Sequence, residues 1–214
     1  MKIFIDSANI DEIKKVVDYG LLDGVTTNPT LIAKESSDPK KHLEKICKIA
    51  NVPVNAEPVS PDFDGIMREA REFIKISENI VVKIPITMDG LKAVKILSQE
   101  NIKTTTTLIF SPLQALLAAK AGSTYITPFV GRLDDIGENG MDLIRKIVLF
   151  YKNYKISTQV IVASIRTITH VLESAECGAD IVTVPFKLIE QMVKHPLTDI
   201  GIKKFIEDYN KSQK

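Results

Sequence analysis

Only two cysteines, Cys47 and Cys177, occur in the 214 residues, and they stand far apart, each inside a helical pattern. A disulfide framework or a zinc site needs ligands more numerous or closer together. The three histidines, His42, His170 and His195, have no ligand spacing either, so neither a metal nor a cofactor is expected. Charge of one sign is missing as well. The 28 basic and 27 acidic side chains leave a formal +1, which excludes a broad basic face for nucleic acid or anionic lipid. No apolar run approaches the roughly 18 residues of a membrane span. The opening MKIFID meets an acid at Asp6, too early for the apolar core of a secretion signal. These absences point to a reducing cytoplasm, with neither nucleic acid nor membrane as a partner. A glycine-rich phosphate turn is absent too: after the first apolar run the chain reads Asp6-Ser7-Ala8-Asn9. An open, doubly wound sheet often carries such a turn there.

What is present is a regular alternation. Short apolar or β-branched runs end at Asp6, Thr27, Glu57, Pro85, Ile109, Thr127, Ser164 and Pro185, and stretches of helical period lie between them. Examples are IDEIKKVVD from Ile10, FDGIMREAREFIKI from Phe63 and GMDLIRKIVLFY from Gly140. The charged run DPKKHLEK, Asp38 to Lys45, reads as the solvated start of a further helix. Ser7 or Asn9 can cap the first helix; Ser111, with Pro112 in the first helical position, caps a later one. Eight βα units in one chain, at roughly 27 residues each, are near the minimum for such a unit. The pattern predicts an α/β fold, a single (β/α)₈ barrel over residues 1–214. An additional C-terminal helix over 198–212 is expected to pack on the barrel or on a neighbouring subunit.

In such barrels the reactive residues sit at the carboxyl ends of the strands. Those ends carry Asp6, Thr26, Asn28, Glu57, Lys83, Thr107, Thr127 and Ser164, each polar after an apolar run. Lys83 stands out within IVVKIP, in a chain with 23 lysines and five arginines. A free lysine titrates near ~10.4. Desolvation disfavours the ammonium and makes a buried amine suited to carbonyl addition. Its structural alternative is an ion pair with Asp6 or Glu57. Those two carboxylates, from the first and third strands, suit acid and base duties; otherwise Asp6 caps a helix and Glu57 is structural. Thr107 and Thr127 have hydroxyls able to orient water or substrate. Arg132 and Arg166, soon after the sixth and seventh strands, suit a phosphate, or else surface ion pairs. Ser164, read as lying at the start of the next helix, adds a hydroxyl and a helix N-terminus.

The motifs FIDSAN, GVTTNPTLI, NAEPV, VVKIP, TPFVGR, ASIR and TVP, in this order over the whole chain, resemble the transaldolase family. The resemblance is to its short-chain branch, which also contains fructose-6-phosphate aldolase. It implies a metal-free barrel that cleaves a ketose phosphate through a Schiff base in the non-oxidative pentose phosphate pathway. It also implies a homo-oligomer, a decamer of two pentamers joined partly by C-terminal helices. Position by position, Lys83 matches the Schiff-base lysine and Asp6 the acid/base at the sugar hydroxyl. Asn28 matches the amide that holds dihydroxyacetone oxygens, with Thr26 beside it. Glu57 and Thr107 match a pair that positions a catalytic water; Arg132, Ser164 and Arg166 match the phosphate site. Thr127 falls where long relatives carry serine, and Ile165 where many carry phenylalanine. Two substrate-pocket positions separate the branch members: aldolases resemble one another in carrying glutamine at Glu57 and tyrosine at Phe129. Both residues here imply transfer rather than release of the three-carbon unit.

Overall fold

A computed structural model describes residues 1–213. Its eight parallel strands are β1 (Lys2–Asp6), β2 (Gly24–Thr26), β3 (Val54–Ala56), β4 (Ile80–Pro85), β5 (Thr104–Ile109), β6 (Tyr125–Pro128), β7 (Gln159–Val162) and β8 (Ile181–Val184). They pair in chain order, and β8 returns to β1 through Phe4↔Thr183 and its neighbours, closing the barrel. The architecture is the expected (β/α)₈ barrel with an additional C-terminal helix. Each strand's position agrees with the apolar runs, with ends shifted by a residue or two.

The helices are α1 (Ile10–Asp18), α2 (Pro29–Glu35), α3 (Pro39–Ile49), α4 (Phe63–Phe73), α5 (Met88–Gln99), α6 (Pro112–Ala121), α7 (Val130–Asp134), α8 (Gly140–Asn153), α9 (Ile168–Glu176), α10 (Phe186–Met192) and α11 (Pro196–Ser212). Local chemistry starts them. Asn9, not Ser7, caps α1, accepting from the amides of Asp11 and Glu12. Asp38 caps α3, confirming the charged run as a helix start. Ser111 and Gln114 form a capping box on α6, with Pro112 at its first position. The short α2 and α7 have too few residues to show a helical period, and both were outside the sequence reading. They follow β2 and β6 directly and bring Asn28 and Arg132 to the barrel mouth. α11 begins at Pro196, two residues before the expected 198, because His195 caps it through Nδ1. No helix among the described residues is long and apolar enough to cross a membrane.

Strand side chains alternate faces, and here the alternation separates two kinds of interior. The outward set, with Ile5, Val25, Val54, Val82, Ile84, Ile126, Val160 and Val184, is buried beneath the helices in one large apolar core. A second, separate cluster of Phe4, Val81, Tyr125, Ile161 and Ile181 fills the barrel axis toward the strand N-termini. Phe4 and Tyr125 meet edge to face, their centroids 6.4 Å apart. The Phe4 ring occupies the space a Cβ at Gly24 would need, which accounts for glycine at a strand start with ordinary backbone.

Two residues further along those five strands stand Asp6, Lys83, Thr127, Ala163 and Thr183. All five line one cavity at the opposite, carboxyl end. The same inward-facing rows are therefore apolar at the bottom and, apart from Ala163, polar at the top, so the floor of the mouth is a plug of packed rings and branched side chains.

Candidate active site

Lys83 is held by its strand: Val82 and Ile84 face the outer core, which turns Lys83 into the barrel. The residue is 4% exposed. Its Nζ donates to the Thr27 carbonyl at 3.0 Å and meets Glu57 Oε2 at 2.8 Å. The structural ion pair considered for this lysine thus exists, and its partner is Glu57 rather than Asp6. Pairing and reactivity are compatible, because a carboxylate in contact with the amine gives its proton somewhere to go.

Asp6 lies on the cavity floor. It does not cap α1, a role that Asn9 fills. Burial pushes its carboxyl above the usual carboxylate range; the positive charge of Lys83 and a hydrogen bond from Thr26 Oγ1, at 3.1 Å, act in the opposite direction. Two carboxylates therefore flank one amine in unlike surroundings. Glu57 touches it, whereas Asp6 acts on it only through space.

Nine of the eleven anticipated residues line a cavity of about 310 Å³: Asp6, Thr26, Asn28, Lys83, Thr127, Phe129, Arg132, Ser164 and Arg166. The other two, Glu57 and Thr107, line an adjoining chamber that shares Asn28, Lys83, Phe129 and Arg132 with it. The lysine stands between the two spaces. Thr107 Oγ1 is buried and has no partner among the described residues. A bulge in β5 between Thr106 and Ile109, with Leu108 at φ 60°, shapes this wall. The largest hollow nearby lies between α2, α3 and α4, walled by Ile32, Leu43 and Phe73. It shares Asn28 and Glu57 with the mouth and has no cluster of cations.

Two arginines line the same mouth. The Arg132 guanidinium lies 4.9 Å from the Phe129 ring centroid and makes no ion pair among the described residues. Arg166 is pinned by Asp135 Oδ2 at 2.8 Å, so surface pairing holds for Arg166 but not for Arg132. Gly131 couples their two segments: its amide donates to the Ser164 carbonyl at 3.1 Å, and a Cβ would strike that carbonyl and the Arg166 stem. Ser164 departs from expectation. It adopts φ 62° in the loop after β7, while α9 begins at Ile168 under a Thr167 cap. A left-handed serine at a cation-lined rim is local strain of the kind stored at functional sites. The helix N-terminus belongs to Thr167.

Sequence reading left Thr183 unassigned. Its hydroxyl is 2.6 Å from that of Thr26, which in turn donates toward Asp6. The signal was present in TVP, a polar residue two before a proline at a strand end. Its partner, however, lies 157 positions away.

The chain is similar to known proteins along its whole length. The family model described as Transaldolase/Fructose-6-phosphate aldolase matches residues 3–214. A protein of Thermodesulfovibrio yellowstonii is 58% identical over 214 residues, covering all of both chains. One of Caldicellulosiruptor saccharolyticus is 58% identical over 215 residues, covering 100% of this chain and 99% of its own. One of Thermoplasma acidophilum is 56% identical over 214 residues, covering 99% and 96%. Each of the three is named a probable transaldolase.

Proposed function

The chain belongs to the transaldolase/fructose-6-phosphate aldolase family, and from that premise we propose that it is a transaldolase, working through a Schiff base at Lys83. The observation that carries the reading is the buried amine in 2.8 Å contact with Glu57, beneath a cavity with Asp6 on its floor and Arg132 and Arg166 at its rim.

Lys83 passes a proton to Glu57 and its neutral nitrogen adds to the ketone carbon of sedoheptulose 7-phosphate or fructose 6-phosphate. The carbinolamine oxygen takes a proton and departs as water, a step served by Glu57 and by the Thr107 hydroxyl. The resulting iminium withdraws electrons. Asp6 accepts the proton of the hydroxyl on the far carbon of the bond to be cleaved, so that this oxygen becomes the aldehyde of the leaving group. That bond breaks, its electron pair flows into the iminium to form an enamine, and an aldose phosphate leaves. The enamine then attacks the aldehyde of glyceraldehyde 3-phosphate or erythrose 4-phosphate, Asp6 returns the proton, and water releases the new ketose. Asn28, Thr26 and Thr127 hold the three-carbon unit. Arg132, Ser164 and Arg166 grip the phosphate, so binding far from the reacting carbons orients the sugar.

Glu57 and Phe129 support transfer over release, since glutamine cannot exchange protons and a phenyl ring brings none to the enamine. Incubation with fructose 6-phosphate alone, then with an acceptor, tests this. Ketose exchange is expected only with acceptor present; rapid free dihydroxyacetone without it favours the aldolase. Borohydride added with substrate is expected to fix a three-carbon adduct on Lys83, read by peptide mass spectrometry, and a non-catalytic sugar-phosphate binder gains no mass. Glu57→Gln is expected to slow transfer by about 10²–10⁴, the worth of a positioned acid/base, and unchanged transfer removes Glu57 from that role.

The same proposal treats residues 1–214 as one unit in the cytoplasm, assembled with its own copies. α11 has no buried residue and exposes Leu197, Ile200, Phe205, Ile206 and Tyr209. Such an apolar surface supports a homo-oligomer built partly through this helix; the decamer of two pentamers rests on the resemblance.

A further inference from the structure

We infer that Thr183 is a positioning residue that, through the Thr26 hydroxyl, aims a hydrogen bond at Asp6 and holds that carboxylate in its proton-accepting form. The inference rests on the proposal that Asp6 carries the substrate proton.

Counting protons leads to it. A threonine hydroxyl has one hydrogen to donate and two lone pairs. Thr183 is 1% exposed and Thr26 is 3% exposed, so water cannot stand in freely for a missing partner. Among the described residues the only polar atom bonded to Thr183 Oγ1 is Thr26 Oγ1, at 2.6 Å. Thr26 has two further acceptors in reach, Asp6 Oδ1 at 3.1 Å and the Ile5 carbonyl at 3.4 Å. If Thr26 donated to Thr183, the Thr183 hydrogen would be buried unpaired and Asp6 would lose its donor. If Thr183 donates to Thr26, every hydrogen is used and the Thr26 hydrogen is left for Asp6. The second arrangement is the satisfied one. The relay therefore has a direction, Thr183 to Thr26 to Asp6, and a chain of hydroxyls ending on a carboxylate strengthens the terminal bond.

Barrel closure fixes the geometry. Asp6 pairs in register with Thr26 on one side, and β8 lies on the other side of β1 with Phe4 opposite Thr183. The other charged groups around Asp6 are Lys83 from β4, with Glu57 behind it from β3, and Arg132 of α7 and Arg166 of the β7–α9 loop across the cavity. From β2 and β8 the facing groups are Thr26 and Thr183, and Glu12 on α1 is engaged by Ser7. Removing the Thr183 hydroxyl changes none of these charges.

The test compares Thr183→Val with Thr183→Ser, using Thr183→Ala should the valine chain fail to fold. Two readouts are needed: the pH profile of kcat/KM for ketose cleavage, and an infrared titration of the carboxyl band that Asp6→Asn removes. In the valine chain both midpoints are expected to move up by about one unit, a tenfold gain in proton affinity, with KM little changed. Serine is expected to restore both. An unmoved infrared midpoint in the valine chain overturns the relay, as does a serine chain shifted as far as valine, since serine keeps the hydroxyl and the shift would then come from disturbed packing. A shifted band with an unshifted rate profile supports the relay and removes Asp6 from its proposed role in the reaction.

Discussion

Replacement of Lys83 by methionine is expected to lower turnover by on the order of 10⁵-fold or more, because the nucleophile of the covalent route is gone and no other amine lines the cavity to replace it. Methionine keeps most of the buried stem, so packing around β4 changes little. Electrostatics change more. The Glu57 side chain is only 12% exposed and would lose the partner it meets at 2.8 Å. Breaking a buried pair by deleting one member costs about 3–5 kcal/mol when the survivor stays charged, and protonation of Glu57 recovers part of that. Lys83→Met combined with Glu57→Gln is therefore expected to be more stable than Lys83→Met alone, and equally inactive. Thermal melts rank the stabilities, and borohydride trapping shows whether any adduct forms. A substrate-dependent adduct in the single variant, or turnover within tenfold of the parent chain, would move the nucleophile elsewhere.

Asp6→Asn is expected to separate two steps that Lys83→Met removes together. Imine formation needs the amine and Glu57, so the variant should still be trapped by borohydride, now with the intact sugar attached. Cleavage needs a base at the hydroxyl and should fall by about 10²–10⁴. Stability should move the other way. Burial raises the Asp6 carboxyl above its ordinary value of 3.8 in the folded chain. The folded state therefore binds this proton more tightly than the unfolded state. The associated stabilisation is full below about pH 3.8 and is lost as pH rises through the folded value. At neutral pH the parent chain thus bears the cost of a buried charge, and asparagine relieves it. The melting temperature at pH 7 is expected to rise, by about 2–4 °C for each kcal/mol recovered in a chain of this size, and the advantage should shrink as pH falls toward 3.8. A variant that melts lower at pH 7 than at acid pH, relative to its parent, would contradict the assigned environment.

Asp6 and Glu57 could be picked out of the sequence because each closes an apolar run, and Lys83 because it interrupts one, signals visible in one dimension. The two short helices α2 and α7 were not, since five to seven residues span too little of a helical turn pattern to declare themselves. Ser164 was placed at a helix start because a serine before a helix usually caps it. The left-handed turn at that residue, together with the Thr167 cap, gave the helix to Thr167 instead.

Apolar runs closed by a polar residue and separated by stretches of helical period are local, and they were enough to indicate eight βα units and a polar mouth. Partnership is not local. Whether Lys83 meets Glu57 or Asp6, whether Arg132 stays unpaired while Arg166 is bound by Asp135, and whether Thr183 reaches Thr26 all depend on strand register and on the curvature that returns β8 to β1. Hydrogen-bonding reach is about 3 Å, far shorter than the uncertainty left by a pattern of residue types, so only the closed barrel could decide them.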